Sequence, residues 1–488
     1  GKITAVSDGT SSKIYSWNGS AWNLRATINK NATSVDISYD GNTIVVGEAS
    51  TNSAFIYTWN GSALIAGSAF TGNTGDLYGQ SVSISNDGDV IAIGAPGDDD
   101  NGTNRGSVSV YYWNNSSWVL RGPIFTGSEN SEALGKVVSI SGDGTVISTG
   151  ILTSTYSRVK SYKWWGRNWA QYGPDINGAS ANQKTGSSVS LSYDGKTLAV
   201  GSSGNPGSIT GRVDVYTYQF CNGQFNQWCQ KGSTLNASNA SAEGHFGASV
   251  SLTDGGLVLA VGIPNDNGGG TNAGTVKIYD FSSNSWTTRG NDINGNAGNE
   301  CGTGVSLDST GTFVALSCPE LNSGFTKVYA IDATKPTITN MIIGPDNQTV
   351  TVTLSEAVYN TNGGSGALQA SDFNVAISGG SASLTSSTPT SISKSGDNYT
   401  LGIGLSGTPD GDEILKLNPA SATSIYDGAD TALSATSIMA TTGPGLRLFP
   451  NSLTATSLTT SGATTAGSLT VDSVVIDCLL YTSDAADE

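Results

Sequence analysis

The stretch Gly79–Pro96, which reads GQSVSISNDGDVIAIGAP, decides the fold of most of this chain. Two short runs of strand-forming residues, 81–85 and 90–95, lie on either side of Asp87-Gly88. An Asp-Gly pair readily adopts the positive φ angles that a tight hairpin turn requires. The stretch therefore predicts two short antiparallel strands joined by a tight turn.

A third run at 106–113 and a fourth that begins at Trp118 complete a unit of four strands, and this unit recurs along the chain. Copies of the first run begin at Ser34, Val137, Ser188, Ser249 and Gly304. Copies of the second run begin at Thr43, Thr197 and Val258, and copies of the third at Val213, Val276 and Lys327. The fourth run opens with Trp22, Trp169, Trp228 and Trp286. The units are roughly 47 to 60 residues long, and regular recurrence of this kind is typical of a repeat architecture.

Four short antiparallel strands repeated at this period are typical of the blades of a β-propeller. Seven copies are present: a fragment at 1–28, five fuller units over 29–295, and 296–332 without its Trp strand. If 1–28 supplies the outer strands missing from the last copy, the ring closes at six blades; if both are separate truncated blades, it has seven or more. We therefore predict an all-β chain whose residues 1–332 form a six- or seven-bladed β-propeller of four-stranded antiparallel blades.

Several motifs at the blade spacing carry a family resemblance. They are HFGASV at 245–250, VGIP at 261–264, GTVKIY at 274–279, Tyr78-Gly79 and GAP at 94–96. These residues resemble the FG-GAP repeats of integrin-α-type propellers, and the resemblance implies an extracellular adhesion-type propeller. The calcium loop of that family is missing, because only Asn86–Asp89 separates the two strands. Calcium binding at that place is therefore not transferred to this chain.

The composition changes at 332–336, and 333–443 is typical of one β-sandwich. Its strand-like runs are 348–355, 372–377, 399–403 and 413–417. Alternation with frequent turn signals favours an immunoglobulin-like module. Residues 354–358 (LSEAV) and 426–429 (YDGA) resemble the Ig-like repeats of bacterial surface proteins, which implies a stalk or spacer.

The end of the chain differs again. The low-complexity run 444–477 resembles the start of a β-rich fibre or solenoid stem, as in phage tail fibres and trimeric adhesins. A strip this short cannot bury its own apolar residues, so we expect it to trimerise or to continue into a longer chain. Residues 478–488 fit no preceding pattern and resemble the translation of a sequencing adapter, so we predict a non-native read-through tail.

Composition limits the partners. With 22 basic and 39 acidic residues, the net charge of −17 argues against nucleic acid, because phosphate contacts require a basic patch. No apolar run of about 18 residues occurs, so we predict no membrane insertion in this segment. No secretion signal is visible; the sequence begins in mid-pattern at Gly1, and we expect that a signal could have preceded it.

Four cysteines form two symmetrical pairs. Cys221 and Cys229 are symmetrical about Phe225, and Cys301 and Cys318 are symmetrical about 309–310. Each pair would face across a hairpin, at a distance that a disulfide spans. Two disulfides predict an extracellular or cell-surface location. Free buried thiols are the alternative.

Catalysis finds little support in the sequence. The only histidine, His245, occupies the position that Leu77 and Ala133 hold in other copies, which indicates a structural residue. A nucleophile–histidine mechanism or a histidine-ligated zinc site has no other residues to use. We therefore predict no catalytic residue and no enzyme.

Two acidic loops remain as candidates for a cation site. Asp98, Asp99 and Asp100 follow Pro96, and Asp266 lies in the equivalent loop of a later copy. Clustered carboxylates could coordinate calcium through oxygen, although they are equally typical of a solvated turn. Calcium is thus the one cofactor that the sequence suggests.

Aromatic residues recur at fixed blade positions, which favours packing between blades and leaves an exposed subset that could stack on sugars. They are Tyr111, Tyr112, Trp113, Trp118, Trp164, Trp165 and Trp169. We predict an adhesion or recognition scaffold that binds a glycan or protein ligand through propeller loops. The alternatives are a carbohydrate-active enzyme with paired carboxylates and a purely structural spacer. Converging Asp and Glu in the central funnel would favour the enzyme, and Ser, Asn and Gly would favour binding.

Overall fold

The computed structural model describes residues 3–7, 10–18, 21–204, 210–221, 223–237, 243–319, 324–331, 338–344, 346–361, 366–421, 424–427 and 446–447. The chain divides into two units, Gly1–Ile331 (unit 1) and Asp332–Glu488 (unit 2). Nearly all regular structure in the described residues is β-strand, which confirms the all-β prediction. The helical elements described are three short 3₁₀ turns at Ala49–Thr51, Ala181–Gln183 and Ala370–Asp372. No helix among the described residues is long and apolar enough to cross a membrane.

Unit 1 contains seven main sheets in the described residues, each built from strands that follow one another in the chain. Sheet 1 comprises β1 (Ile3–Ser7), β2 (Ser12–Trp17) and β3 (Trp22–Ile28). Sheet 2 comprises β4 (Ser34–Ile37), β5 (Thr43–Glu48), β6 (Ser53–Trp59) and β7 (Leu64–Thr71). Sheet 3 comprises β8 (Ser81–Ile84), β9 (Val90–Ala95), β10 (Ser107–Trp113), β11 (Trp118–Leu120) and β12 (Phe125–Thr126). Sheet 4 comprises β13 (Val137–Ile140), β14 (Val146–Leu152), β15 (Ser157–Trp164), β16 (Trp169–Gln171) and β17 (Ile176–Asn177).

The remaining sheets of unit 1 repeat this plan. Sheet 5 comprises β18 (Thr185–Leu191), β19 (Thr197–Ser202), β20 (Arg212–Cys221), β21 (Gln224–Gln230) and β22 (Leu235–Asn236). Sheet 6 comprises β24 (Ser249–Leu252), β25 (Val258–Ile263), β27 (Thr275–Ser282), β28 (Ser285–Thr288) and β29 (Ile293–Asn294), with β23 (Glu243–Gly244) and β26 (Asn265–Asp266) paired beside it. Sheet 7 comprises β30 (Gly304–Leu307), β31 (Phe313–Cys318) and β32 (Phe325–Ala330).

The two end sheets contain different parts of the repeat. The Trp17–Trp22 pair of sheet 1 matches the Trp113–Trp118 pair of sheet 3, so sheet 1 holds the second, third and fourth strands. Sheet 7 holds the first, second and third strands. All strand pairs within the main sheets are antiparallel, and the four-stranded path of sheets 2 to 6 is that of a propeller blade. Unit 1 is therefore a β-propeller.

Two glycines of the repeat bring successive sheets into contact. A Cβ atom on Gly94 of β9 would overlap the carbonyl oxygen of Gly135 in the next sheet. The same overlap occurs between Gly47 and Gly79, Gly150 and Gly186, and Gly262 and Gly302. The backbones of neighbouring sheets thus touch where any side chain would separate them, which explains why the repeat needs glycine twice.

Serine hydroxyls join the innermost strands. The first strand of each sheet is an edge strand and leaves N–H groups without a partner in its own sheet. The hydroxyl of Ser83 accepts a hydrogen bond from the N–H of Ile140 in the next sheet (3.2 Å). Equivalent bonds run from Ile84 to Asp36 (2.9 Å), Leu191 to Ser139 (3.2 Å), Leu252 to Ser190 (3.0 Å) and Leu307 to Ser251 (2.9 Å). We call this row of side-chain acceptors (Asp36, Ser83, Ser139, Ser190 and Ser251) the serine ladder. It supplies acceptors for N–H groups that have no partner in their own sheet.

Apolar residues fill the space between sheets. One buried cluster combines Val45 and Ile56 of sheet 2 with Ile84, Ile91 and Ile93 of sheet 3. The repeated tryptophans add a polar contact to this packing. The indole N–H of Trp228 donates to the carbonyl of Tyr172 in the preceding sheet (2.9 Å), and that of Trp286 donates to Lys231 (2.8 Å). These tryptophans pack between blades.

The described residues of unit 2 form two main sheets. The first comprises β33 (Ile338–Ile343), β34 (Thr349–Leu354), β38 (Ile392–Ser395) and β39 (Asn398–Gly402), and the second comprises β36 (Phe373–Ser378), β41 (Ile414–Pro419) and β43 (Leu446–Arg447). Two short pairs accompany them, β35 (Val358–Tyr359) with β42 (Tyr426–Asp427) and β37 (Ser383–Leu384) with β40 (Leu405–Ser406). Residues of both sheets share one apolar core. Apart from β43, the predicted stem (444–477) and tail (478–488) lie outside the described residues.

Glu413 fixes the loops of unit 2. Its side chain is fully buried and accepts hydrogen bonds from the backbone N–H groups of Ser381, Ala382, Asp410 and Gly411. Burial alone would raise the pKa of this carboxyl, but the N–H donors outweigh it and lower the pKa to about 2. A buried charge with four donors is thus a structural element of unit 2.

Candidate binding site

The antiparallel order of strands gives unit 1 two different faces. The turn face carries the tight turns between first and second strands, such as 39–42 and 254–257. The loop face carries the connections between second and third strands and between successive sheets, such as 96–106 and 127–136. The Asp-Gly turns of the sequence analysis therefore lie together on one face.

Backbone hydrogen bonds connect these turns around the axis. Tyr39 donates to the carbonyl of Asn86 (3.0 Å), and Asn86 donates to Gly142 (2.8 Å). Further along, Tyr193 donates to Asp254 (3.0 Å), and Asp254 donates to Ser309 (3.2 Å). The first residues of successive turns are therefore neighbours, and their side chains converge.

One side-chain contact spans this arc. The amide Nδ2 of Asn86 in sheet 3 donates to Oδ2 of Asp254 in sheet 6, at 3.0 Å. The turns of sheets 4 and 5 lie between these two residues along the arc. The arc therefore curves enough for residues three sheets apart to meet.

An open cavity of about 350 Å³ lies where the turns converge. This axial depression is lined by Tyr39, Asn86, Asp87, Tyr193, Asp254 and Ser309. Tyr39 and Tyr193 are 70% and 48% exposed, so their rings are available to a ligand. Large exposed aromatic side chains beside convergent polar groups are typical of a small-ligand site.

The carboxylates of this region differ in their availability. Burial raises the pKa of Asp254; the hydrogen bond from Asn86 opposes this, and the charge of Asp308 adds to it. For Asp308, burial is outweighed by hydrogen bonds from the N–H of Phe313 and the hydroxyls of Thr310 and Thr312, so its pKa falls to about 2. Asp87 accepts from the Ser85 hydroxyl and the Asp89 N–H. Asp308 and Asp87 are thus fastened in their own turns, while Asp254 faces the depression.

Sequence reasoning missed the axial depression. Its residues share the first position of the turn, which the repeat comparison treated only as part of a hairpin. The available signal was variation, because this position holds Tyr39, Asn86, Gly142, Tyr193, Asp254 and Ser309 in successive copies. A variable position between fixed ones indicates a side chain that the contacts between copies do not require.

The four residues of the calcium hypothesis do not come together. Asp98, Asp99 and Asp100 lie after β9 in sheet 3, where Nδ2 of Asn73 contacts Oδ1 of Asp100 (3.3 Å). Asp266 belongs to the region of sheet 6, where its carboxylate accepts from the Thr275 hydroxyl and the Gly268 N–H (3.1 Å). Within the described part of the chain, no group of three or more His, Cys, Asp or Glu side chains is placed to hold a metal ion. Calcium binding stays a prediction.

Buried acids on the loop face have a structural role. Asp76 is 4% exposed and accepts from the N–H of Asn73 (2.7 Å), which fastens its loop. Glu132 occupies the same position in the next copy and pairs with Arg158 and with Lys160 (3.7 Å). Burial would raise the pKa of Glu132, but the hydrogen bond from Arg158 and its other donors lower it to about 2.

His245 also has a structural role on the loop face. It has a positive φ of 69°, as Leu77 (54°) and Ala133 (51°) do at the equivalent positions. Its ring nitrogen Nδ1 contacts Oδ1 of Asn265. The three residues that the sequence analysis placed at equivalent positions therefore share a left-handed backbone conformation, although their side chains differ.

Both disulfides of the sequence analysis are present, Cys221–Cys229 and Cys301–Cys318. The hairpin register around the first pair was wrong, because Cys221 lies opposite Gln224 and Cys229 lies opposite Thr217. The turn is at Gly223, with a φ of 76°, rather than at Phe225. In the sequence, the Asn-Gly pair at 222–223 is a stronger hairpin signal than the symmetry of the two cysteines.

Comparison with known proteins matches one copy of the repeat to a known family. Residues 68–111, which run from β7 to β10, match the FG-GAP repeat family. No curated protein sequence matches the chain. Among solved structures, Kuenenia stuttgartiensis hydrazine synthase is 14% identical, with a TM-score of 0.48, over 68% of this chain and 94% of that one. The β-propeller domain of Myceliophteria thermophila Cps50 (Swd1) is 12% identical, with a TM-score of 0.47, over 68% and 93%. A putative 6-phosphogluconolactonase from Bacteroides fragilis is 13% identical, with a TM-score of 0.48, over 68% and 93%.

Proposed function

We propose that this chain is a recognition scaffold, not an enzyme, that binds a glycan in the axial depression. The observation that carries the proposal is the position of Tyr39 and Tyr193, two exposed rings that line one cavity together with Asn86 and Asp254. Aromatic faces bury the CH-rich faces of sugar rings well. An amide and a carboxylate can hydrogen-bond the hydroxyl groups at the ring edge, and bonds to the charged group are the stronger ones.

The carboxylates favour binding over glycoside hydrolysis. A glycosidase uses two carboxylates on either side of the scissile bond, one of them as a proton donor. Asp254 has the raised pKa that suits a proton donor, but its neighbours Asp87 and Asp308 are held by donors of their own turns. One available carboxylate can bind a hydroxyl, whereas hydrolysis needs two.

The rest of the chain fits a surface protein. We propose that the seven sheets of unit 1 are seven blades of one ring, because the ladder joins sheets 2 to 7 in chain order and a shared apolar cluster joins sheet 1 to sheet 2. The shared core of the two sheets in unit 2 supports an Ig-like spacer. Two disulfides are compatible with a location outside the cytoplasm, on a cell surface or in a secreted fibre.

A glycan array with the full chain tests the proposal, run once with calcium and once with a chelator. We expect binding without cleavage of the arrayed sugar. The double variant Tyr39→Ala/Tyr193→Ala should lose at least about tenfold in affinity, since each ring contributes about 1 kcal/mol of stacking. Trp165→Ala is the matched control, because Trp165 is 62% exposed but lies at an outer hairpin of the same face. Equal loss in the control, or cleavage of a sugar, would contradict the proposal.

A further inference from the structure

The charge of the axial depression restricts the ligand. Its lining contains two carboxylates, Asp87 and Asp254, and no Lys, Arg or His among the described residues. The neighbouring cations point elsewhere: Arg121 and Lys231 donate to the carbonyls of Gly144 and Gly256 between sheets. Arg121 attracts Asp87 electrostatically but does not line the cavity. An acidic sugar would therefore meet the carboxylate of Asp254, for which no ion pair is described.

The two tyrosines add a feature that a neutral sugar does not use. The face of an aromatic ring attracts a cation electrostatically, and the attraction grows when water is excluded. Tyr39 and Tyr193 line the same cavity as Asp254. Two ring faces and a half-buried carboxylate form a suitable environment for an ammonium group.

The Asn86–Asp254 contact leaves room for such a group. The Asn86 amide donates to Oδ2 of Asp254, while no described residue donates to Oδ1. An ammonium group carries three donors and no acceptor, so it can bond a carboxylate oxygen and a hydroxyl such as that of Ser309. It also compensates the repulsion between Asp254 and Asp308.

We propose that the axial depression binds a free amine on a sugar, as in oligomers of glucosamine, and this inference rests on the proposed glycan-binding function. The amine lies between the rings of Tyr39 and Tyr193 and contacts Asp254. The sugar ring supplies the apolar face, and the amine supplies the selectivity.

Calorimetry with the full chain tests the inference with three ligands: a glucosamine oligomer, the same oligomer fully N-acetylated, and choline. N-acetylation removes the charge and keeps the sugar rings. We expect the free-amine oligomer to bind at least about tenfold more tightly than the acetylated one, with a preference that falls as salt rises. Choline, which has the cation without the sugar, should bind more weakly than the oligomer.

Two variants localise the effect. Asp254→Asn should reduce the preference for the free amine to about threefold or less while it retains binding of the acetylated oligomer. Asp87→Asn provides a second variant on the same cavity if Asp254→Asn fails to fold. Asp99→Asn, on the loop face, is the matched control and should keep the full preference.

The outcomes separate the two claims. Equal affinity for the free and acetylated oligomers would overturn the amine inference and leave glycan recognition intact. Choline binding tighter than that of either oligomer would overturn glycan recognition and keep the cation site. Binding of none of the three ligands would overturn the amine inference, and failure on the array as well would overturn both.

Discussion

Two positions of the same repeat, three residues apart, behave in opposite ways. The first is the last residue but one of the innermost strand: Asp36, Ser83, Ser139, Ser190, Ser251 and Ser306. The second is the first residue of the following turn: Tyr39, Asn86, Gly142, Tyr193, Asp254 and Ser309. Serine occupies the strand position in five of these six copies, whereas the turn position holds five residue types.

The neighbours of each position account for the difference. The strand position accepts a hydrogen bond from the next copy of the same repeat, so one residue type suits every copy. The turn position bonds the next copy through its backbone, and the side chains at this position in five of the six copies line the axial depression. A repeat can therefore change its ligand chemistry at one position without a change in the contacts that hold the ring together.

The largest loss of stability is expected when a glycine at the contact between two sheets gains a methyl group. Gly94→Ala would place Cβ against the carbonyl of Gly135, so we expect a loss of about 3 kcal/mol in the free energy of unfolding. Denaturant unfolding measures it. Gly255→Ala is the control, since its Cβ would meet no described atom within 4 Å. Equal midpoints for both variants would contradict the packing argument.

A smaller effect should follow from the loss of one ladder hydroxyl. Ser139→Ala leaves the Leu191 N–H without its acceptor, and we expect a cost of about 1–3 kcal/mol. Ser306→Ala removes a hydroxyl at the same position of sheet 7, where no ladder bond is described, and should change stability by less than about 0.5 kcal/mol. If both variants lose the same stability, the ladder does not account for the repeated serine.

Asp36, the exception at the strand position, should make stability depend on pH. Burial raises its pKa to about 6, although the N–H groups of Ile84 and Ile37 and the Ser83 hydroxyl favour the charged form. The folded state therefore binds this proton more tightly, and stability falls as pH rises from about 4 to 6. Asp36→Ser should remove this slope and gain about 1 kcal/mol at pH 7, a figure discounted because the residue keeps some exposure. Denaturant unfolding at pH 4 and pH 7 measures this dependence. If the free energy of unfolding changes by the same amount between the two pH values in the wild type and in Asp36→Ser, the prediction is wrong.

The smallest effect on stability is expected at the turn position. Tyr193→Ala should change the free energy of unfolding by less than about 0.5 kcal/mol, because the ring is exposed, and should affect only ligand affinity. Tyr172→Ala is the contrast. Tyr172 is buried and stacks on Tyr218 at 3.6 Å, so its loss should cost about 3 kcal/mol. Comparable losses in the two variants would contradict the separation of binding from stability.

Local patterns predicted the strands, the tight turns and the two disulfides, because each depends on residues close together in the sequence. The axial depression was not predicted, since Asn86 and Asp254 meet only through the curvature of the ring. The same limit affected Asp98 and Asp266: equivalent positions in the repeat lie in different sheets, so similar loops do not form a common site. Repetition identifies equivalent residues, and only the arrangement of sheets shows which of them are neighbours.

The serine ladder also has a direction. In each of its bonds the acceptor belongs to the earlier sheet and the donor to the later one. A ribosome extends a chain at about 5–20 residues per second, so a repeat of about 50 residues emerges every few seconds. Each newly made edge strand therefore meets a row of hydroxyl acceptors that is already in place. We therefore expect the later sheets to be added to sheet 2 one by one, in the order of translation.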